Sequence, residues 1–322
     1  MRASYHHALV ALRRASSVVV CAHVRPDGDA VGSVLAMTLA LRENGVSAVP
    51  TLADPDDAPH TYSFLPGFGL YVPARQLEAP QVFVALDSPN FDRLGTAADL
   101  ARAAGSLVVL DHHPDALPYG DVNVLEPDAA ATGQMVWRFA RELDRKPSVD
   151  VARCCYVGLI TDTGRFSYDN TTAEALRDAA EMVSAGVDPA DTARLVYQSR
   201  SAASLAMEAR AMSRLTLANG GRVAYAWVTD DDFTELGTSP EEGEGLPDAV
   251  RVLKGIDVAL IMRQRGDEVR VNLRAKTGFD VGSVARSFGG GGHKAASGMT
   301  WEGTMDTLLP VLLAKLPGSE QV

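Results

Sequence analysis

The sequence predicts an α/β protein in which a parallel-sheet N-terminal domain precedes a smaller α+β domain. Three short apolar runs carry the first half of that expectation: Val18-Val19-Val20-Cys21-Ala22, Val82-Phe83-Val84-Ala85-Leu86 and Leu107-Val108-Val109-Leu110. Helix-length segments separate them, and unbroken apolar runs of this length suit strands buried on both faces. Each run ends directly on His or Asp, and in an open parallel sheet those ends lie side by side and form the ligand crevice. The second half rests on a change of pattern after Leu215, where strand-like stretches at 222–228, 257–263 and 268–274 alternate with short helical ones.

Taken in order, residues 5–15 read as a helix packed before the first strand. The segment from Ala30 to Leu41 reads as a buried helix that Gly45 ends, and residues 46–51 as a second strand. Residues 54–73 are loop-rich. A helix over 97–104 joins the second and third apolar runs. Pro114 cannot donate to a strand ladder, so the third strand stops before it and Asp111, His112 and His113 stand at its C-terminal end. Helices follow at 133–143 and 151–160, and from 172 to 215. In the second domain, helices are expected at 247–254, 281–287 and 305–316. The expected division is a first domain at 1–190, a linking helical region at 191–214 and a second domain at 215–322, with the link itself placed near 187–203.

Composition narrows the function. The 322 residues are 46% hydrophobic, enough for two cores, and no apolar run is long enough to span a membrane. The N-terminus lacks the apolar stretch of a secretory signal, and three cysteines, two of them adjacent, make a disulfide framework improbable, so a reducing cytoplasm fits. A net charge of −11 argues against a broad cationic surface for long duplex DNA. A small or locally gripped phosphate substrate stays compatible, because cations bound among the acids would offset part of that charge.

The chemistry-bearing residues recur in one pattern. His23 is followed by Asp27 and Asp29, two carboxylates that repel unless cations or donors stand between them. Asp87 closes the second run, Asp111-His112-His113 the third, and Asp162 lies in Thr161-Asp162-Thr163-Gly164. Such oxygen and imidazole donors suit Mn, Fe, Zn and Mg. Each has a bland alternative: a solvated turn for Arg25-Pro26-Asp27-Gly28-Asp29, a helix cap for Asp87, surface histidines, a turn for Asp162. Their shared types and strand-end positions favour a common site. In the second domain, Gly289-Gly290-Gly291-Gly292-His293-Lys294 reads as a phosphate-approaching loop, with a flexible loop as its alternative.

These motifs resemble those of the DHH family of phosphoesterases. His23-Val-Arg-Pro-Asp27-Gly-Asp29, Asp87, Asp111-His112-His113 and Gly158-Leu-Ile-Thr-Asp162 resemble the four motifs of its catalytic domain. The glycine run through Gly298 resembles the motif of the associated DHHA1 domain, with Ser297 where Gly or Ala is frequent. Length and domain order are most similar to the NrnA-like subgroup, the oligoribonuclease and pAp-phosphatase proteins. The resemblance implies a DHH domain and a DHHA1 domain with a cleft between them, and a site for two Mn2+ ions, with Mg2+ or Co2+ as substitutes. His23 and Asp27 would hold one ion, Asp29, His112 and Asp162 the other, and Asp87 would bridge. Asp111 would join the site or orient His112, and His113 would face the scissile phosphate. Arg274, Gly290, Gly291, Gly292 and His293 would grip the substrate, with Arg263 a lesser candidate. The implied activity is Mn-dependent hydrolysis of short oligoribonucleotides (nanoRNA) to mononucleotides and of pAp to AMP, by a cytoplasmic homodimer that binds short single-stranded RNA or DNA and no membrane. Competing expectations are a linear or cyclic dinucleotide phosphodiesterase, a RecJ-like single-strand DNA exonuclease, and a nucleotide-binding regulator without turnover.

Overall fold

The computed structural model describes residues 3–54, 59–144, 146–239, 241–243 and 245–319. Of the loop-rich stretch expected at 54–73, residues 55–58 lie outside that set, and the rest forms short 3₁₀ turns. The chain divides into two compact units, Met1–Ser199 and Arg200–Val322.

The first unit runs α1 (Ala3–Arg13), β1 (Val18–Cys21), α2 (Gly28–Glu43), β2 (Ala48–Pro50), β3 (Val82–Leu86), α3 (Ala98–Ala103), β4 (Ser106–Asp111), β5 (Val122–Leu125), α4 (Thr132–Leu143), α5 (Val149–Asp162), α6 (Ala173–Ser184) and α7 (Pro189–Tyr197). Its sheet has five strands in the order β2-β1-β3-β4-β5, every pairing parallel. The apolar runs are buried on both sides, as their unbroken hydrophobicity requires. Val18, Val20, Val84, Leu86, Val108 and Leu110 enter the larger core beneath α1, α2, α4, α5 and α6. The alternate residues Val19, Cys21, Phe83, Ala85 and Val109 enter a smaller core that includes Ala101 of α3. From β1 the chain returns on one side as β2 and on the other as β3. The crevice above β1 and β3 is therefore a topological switch point, where open α/β sheets place their ligands.

Close helix packing shapes that crevice. A Cβ on Gly158 of α5 would stand 2.5 Å from Asp29 Oδ1, and one on Gly32 of α2 would stand 2.5 Å from the Cys154 carbonyl oxygen. Only glycine lets α5 press against the first turns of α2 and bring its last residue, Asp162, to the end of the sheet. Strand β5 went unrecognised in the sequence, because Val122-Asn123-Val124-Leu125 is too short and too mixed to stand out.

The second unit runs α8 (Ala202–Ser213), β6 (Thr216–Ala218), β7 (Val223–Thr229), α9 (Asp230–Leu236), α10 (Leu246–Arg251), β8 (Val258–Arg265), β9 (Glu268–Ala275), α11 (Val281–Arg286), β10 (Gly291–Gly292), β11 (Ala296–Glu302) and α12 (Met305–Leu313). The six-stranded sheet has the order β10-β11-β9-β8-β7-β6, with β7 and β8 parallel and the other pairs antiparallel. One face packs on α11 and α12, the other on α8, α9 and α10. The region expected as a link is divided: Tyr197 of α7 donates its hydroxyl to the Ile160 carbonyl at 2.9 Å, whereas Met207 and Ala211 of α8 fill a core of the second unit.

Candidate active site

Strand β1 delivers His23 just beyond its end. The ring Nδ1 lies 2.9 Å from the Val24 carbonyl oxygen, an acceptor that favours the proton on Nδ1 and presents the Nε2 lone pair to the site. Nε2 lies 3.9 Å from Asp27 Oδ1 and 3.4 Å from Asp87 Oδ2. Asp27 also caps α2, its Oδ1 accepting the Asp29 and Ala30 amides at 3.0 Å each. The cap and ligand readings of this residue are thus compatible: the cap fixes the carboxylate against His23.

Asp29 is buried and turned toward α4. Its Oδ2 accepts the Thr132 amide at 2.6 Å, and its Oδ1 accepts the Gly133 amide at 2.7 Å and the Ser33 hydroxyl at 3.0 Å. The N-terminus of α4 therefore points at this carboxylate, which favours its charge.

Asp87 is the shared member. It leaves β3 with φ of 53°, the left-handed region that costs a non-glycine residue on the order of 1 kcal/mol. Its amide is tied to the Leu110 carbonyl at 3.0 Å. The turn aims one oxygen at each imidazole, Oδ2 at His23 and Oδ1 at His112 Nε2, 3.4 Å in both cases. The Thr132 hydroxyl donates to Oδ1 at 3.0 Å.

His112 and His113 follow β4 with different partners. His112 Nδ1 faces the Ala129 carbonyl at 3.2 Å, and its Nε2 lies 3.8 Å from Asp29 Oδ2 and 3.6 Å from Asp162 Oδ2. His113 turns Nδ1 to Asp111 Oδ1 at 3.0 Å, an oxygen that also accepts the His113 amide at 2.7 Å. The other Asp111 oxygen, Oδ2, is buried without a hydrogen-bond partner among the described residues. An orphaned carboxylate oxygen is costly in a protein interior and calls for a cation or donor.

Charge follows geometry. Burial pushes the Asp29 carboxyl well above the usual range, and the neighbouring Asp87 charge adds to it; burial also lifts Asp162 to about 6. Burial would raise Asp87 too, but the hydrogen bonds from His112 and His23 hold it well below. Burial opposes protonation of His23 and His112, yet Asp87 prevails, lifting His23 to about 9 and His112 well above its ordinary value. Asp87 is thus neutralised by imidazole protons, which divalent ions displace when they bind histidine, whereas burial favours the protonated forms of Asp29 and Asp162.

These donors fit a pair of divalent cations. His23, Asp27 and Asp87 form one group able to hold an ion, Asp29, Asp87 and His112 a second, and Asp87, Asp111 and His113 a third. All eight first-unit residues expected at a metal site or in catalysis, Asp162 among them, lie together at one end of the sheet. The supporting residues Thr132, Gly133, Ser33, Asn170 and Arg93 escaped the sequence reading. The small-residue run Ala129-Ala130-Ala131-Thr132-Gly133 before an amphipathic helix was the available signal for the first two. Asn170 Nδ2 donates to the Asp162 carbonyl at 3.1 Å and to the Ala130 carbonyl at 2.9 Å, a tie with no local sequence mark.

In the second unit, the residues expected to grip substrate share one side of the sheet. Gly291 and Gly292 form the edge strand β10, pairing with Gly298 and Ser297 of β11, and Ala296 of β11 pairs with Arg274 of β9. Gly290 lies at the turn into β10, where a Cβ would stand 2.3 Å from the Gly298 carbonyl oxygen. His293 begins the turn from β10 to β11. The glycine run follows α11 and leads into a strand, so it does not precede a helix. Arg274 Nε lies 3.7 Å from Asp248 Oδ1. Ser297 donates its hydroxyl to the Val281 carbonyl at 2.8 Å, anchoring α11. Arg263 is engaged structurally, paired with Asp230 at 2.7 Å and lying over the Phe233 ring.

Known proteins are similar to this chain. The model of the DHH family N-terminal domain matches residues 17–159, and that of the DHHA1 domain matches residues 220–316. The bifunctional oligoribonuclease and PAP phosphatase NrnA of Thermus thermophilus is 33% identical over 289 residues, covering 89% of this chain and 84% of that protein. The protein of the same name from Bacillus subtilis is 27% identical over 290 residues, covering 88% of each. The crystal structure of an exopolyphosphatase-related protein from Bacteroides fragilis superimposes with a TM-score of 0.89 at 24% identity, covering 98% of this chain and 96% of that one, and so shares its fold. The chain belongs to the DHH family of phosphoester hydrolases, in its DHHA1-bearing, NrnA-like branch.

Proposed function

We propose that this protein is an Mn-dependent phosphoesterase that hydrolyses short oligoribonucleotides to mononucleotides and removes the 3′-phosphate of pAp. The observation that carries the reading is Asp87, whose two oxygens each face a different imidazole at 3.4 Å within separate carboxylate groups. One carboxylate between two such groups is the arrangement of a two-ion centre. The extended identity with the two NrnA proteins supports the substrate class.

In this reading His23 and Asp27 would hold one Mn2+, Asp29, His112 and Asp162 would hold the other, and Asp87 would serve both. Bound ions would supply Lewis-acid polarisation of the phosphate and a water acidic enough to attack at neutral pH. The protein's own part is orientation and charge. Asp111 fixes the His113 ring through Nδ1 and, against burial, favours its protonated form. His113 so held stabilises negative charge on the phosphate oxygens as it develops. Thr132 and the Asp87 backbone turn hold the shared carboxylate still, so its position is set before substrate arrives.

The DHHA1 unit binds the terminal phosphate or nucleotide through Arg274, His293 and the backbone of Gly290, Gly291 and Gly292. The protein acts as a homodimer in the cytoplasm. All three cysteines are buried and unpaired, as suits a reducing compartment, and among the described residues no helix is long and apolar enough to cross a membrane.

Hydrolysis of an end-labelled RNA trimer against a 24-mer of matched sequence, alongside phosphate release from pAp, tests the reading. Fast consumption of trimer and pAp in Mn with slow loss of the 24-mer is expected. Preferential digestion of the long strand, or no turnover of either short substrate, sinks it.

A further inference from the structure

Arg93 is built into the first subsite, yet no carboxylate among the described residues pairs with it. Its backbone is clamped to the end of β1: the Arg93 carbonyl accepts the Val24 amide at 2.9 Å, and three residues on, the Thr96 amide donates to the Ala53 carbonyl at 2.7 Å. Gly95 makes that clamp possible, with φ of 46° and a missing Cβ that would stand 2.4 Å from the Ala53 carbonyl oxygen. The partly buried side chain is thereby carried to His23, its Nη2 lying 3.2 Å from His23 Nδ1 and 3.5 Å from the Val24 carbonyl oxygen.

The first contact is not a hydrogen bond in the ion-holding state. When His23 offers Nε2 to an ion, Nδ1 carries the proton and points it at Val24, so it cannot also accept one from Arg93. Arg93 then keeps one long contact to a carbonyl for five donors. A partly desolvated guanidinium so underused has no directly paired anion among the described residues, and its planar fork suits phosphate oxygens.

We propose that Arg93 is a substrate-contacting residue whose guanidinium, held beside His23 at the first subsite, takes a non-bridging oxygen of a nucleotide phosphate. The proposal rests on the phosphoesterase reading and adds a protein cation to the ions of that site. Arg93 does not steady the His23 ring, since no hydrogen bond joins them in that state.

Calorimetric titration of inorganic phosphate into the Mn-loaded protein, wild type beside Arg93→Ala and Arg93→Lys, tests it, with Mn2+ affinity measured separately in phosphate-free buffer. Loss of a charged hydrogen bond predicts phosphate affinity about 10–100-fold weaker in Arg93→Ala. Partial recovery in Arg93→Lys, unchanged Mn2+ affinity, and a KM for pAp raised more than kcat is lowered are also expected. Equal phosphate affinity in wild type and Arg93→Ala overturns the proposal. So does a weakening that saturating Mn2+ abolishes, which would make Arg93 a positioning residue for His23. If Arg93→Ala does not fold, by circular dichroism, Arg93→Gln is measured against the same two outcomes. A wild-type protein that turns over neither pAp nor RNA trimer defeats the phosphoesterase reading itself, and the turnover assay reports that independently of the variants.

Discussion

Asp232 in the second unit and Asp87 in the first are both buried aspartates, and they are neutralised in opposite ways. Asp232 receives Arg210 at 2.6 Å, Arg214 at 2.6 and 2.8 Å and the Thr229 amide at 2.8 Å. Against the cost of burial, these partners hold its carboxyl well below the usual range. Asp87 has two imidazoles at 3.4 Å and a threonine hydroxyl. Guanidinium charge is permanent and its pairing saturates the carboxylate, so Asp232 closes the start of α9 as a structural anchor. Imidazole charge is exchangeable: the same nitrogens bind a proton or a divalent ion. Which cation faces a buried acid separates a structural cluster from a working one.

The sharpest way to break that contrast is to remove each acid in turn. Asp87→Ala is expected to lower turnover of pAp and RNA trimer by about 10³-fold or more, because all three first-unit groups able to hold an ion lose their shared member. Thermal unfolding should change far less than activity. Asp232→Ala is expected to do the reverse, costing about 3 kcal/mol in urea unfolding by leaving Arg210 and Arg214 without their buried partner, while the folded fraction keeps its kcat. Loss of activity in Asp232→Ala at full stability, or full activity in Asp87→Ala, would erase the distinction.

Chelation should sharpen it. Treatment with EDTA is expected to abolish hydrolysis and lower the Tm of the first unit, since ions bound only by the folded state stabilise it, and added Mn2+ should restore both. A melting curve unmoved by EDTA and Mn2+ would count against an ion centre. A smaller effect is expected from Thr132→Val, which removes the hydroxyl that aims Asp87: about 10–100-fold lower Mn2+ affinity or activity, largely recovered in Thr132→Ser. Failure of serine to recover it would assign the loss to packing.

The smallest effect is a pH dependence. Because the carboxyl of Asp232 is depressed in the folded state, its stabilisation is present above the unfolded value of about 4 and is lost as pH falls below it. Urea midpoints between pH 7 and 3 should therefore fall more steeply in wild type than in Asp232→Asn. Parallel curves would show that Asp232 is not held by its arginines.

Much of this was legible because it is written locally. The apolar runs at 18–22, 82–86 and 107–110 became β1, β3 and β4 with their polar residues at the expected ends. Leu246–Arg251 and Val281–Arg286 became helices close to their expected bounds. Strand β11 was not legible, since Ala296-Ser297-Gly298 reads as loop and becomes strand only by pairing with β9. Helix α9 was hidden for a related reason, its Asp230-Asp231-Asp232 start looking like a solvated turn until Arg210 and Arg214 come to meet it.

Residue types, their spacing and the strand ends on which they sit are local properties, and they sufficed to pick out the residues from His23 to Asp162 that the structure brings together. The tertiary structure decided the rest. That Asp87 divides its oxygens between two histidines, that α4 aims its first amides at Asp29 beside Gly158, and that Arg93 stands beside His23 with no carboxylate among the described residues paired to it, where Gly95 permits a close approach, all depend on how distant segments meet. Such contacts join residues tens of positions apart, and no periodicity in the chain encodes a distance between them. Their physical origin is packing, which turns a list of acids and imidazoles into groups separated by a few ångströms.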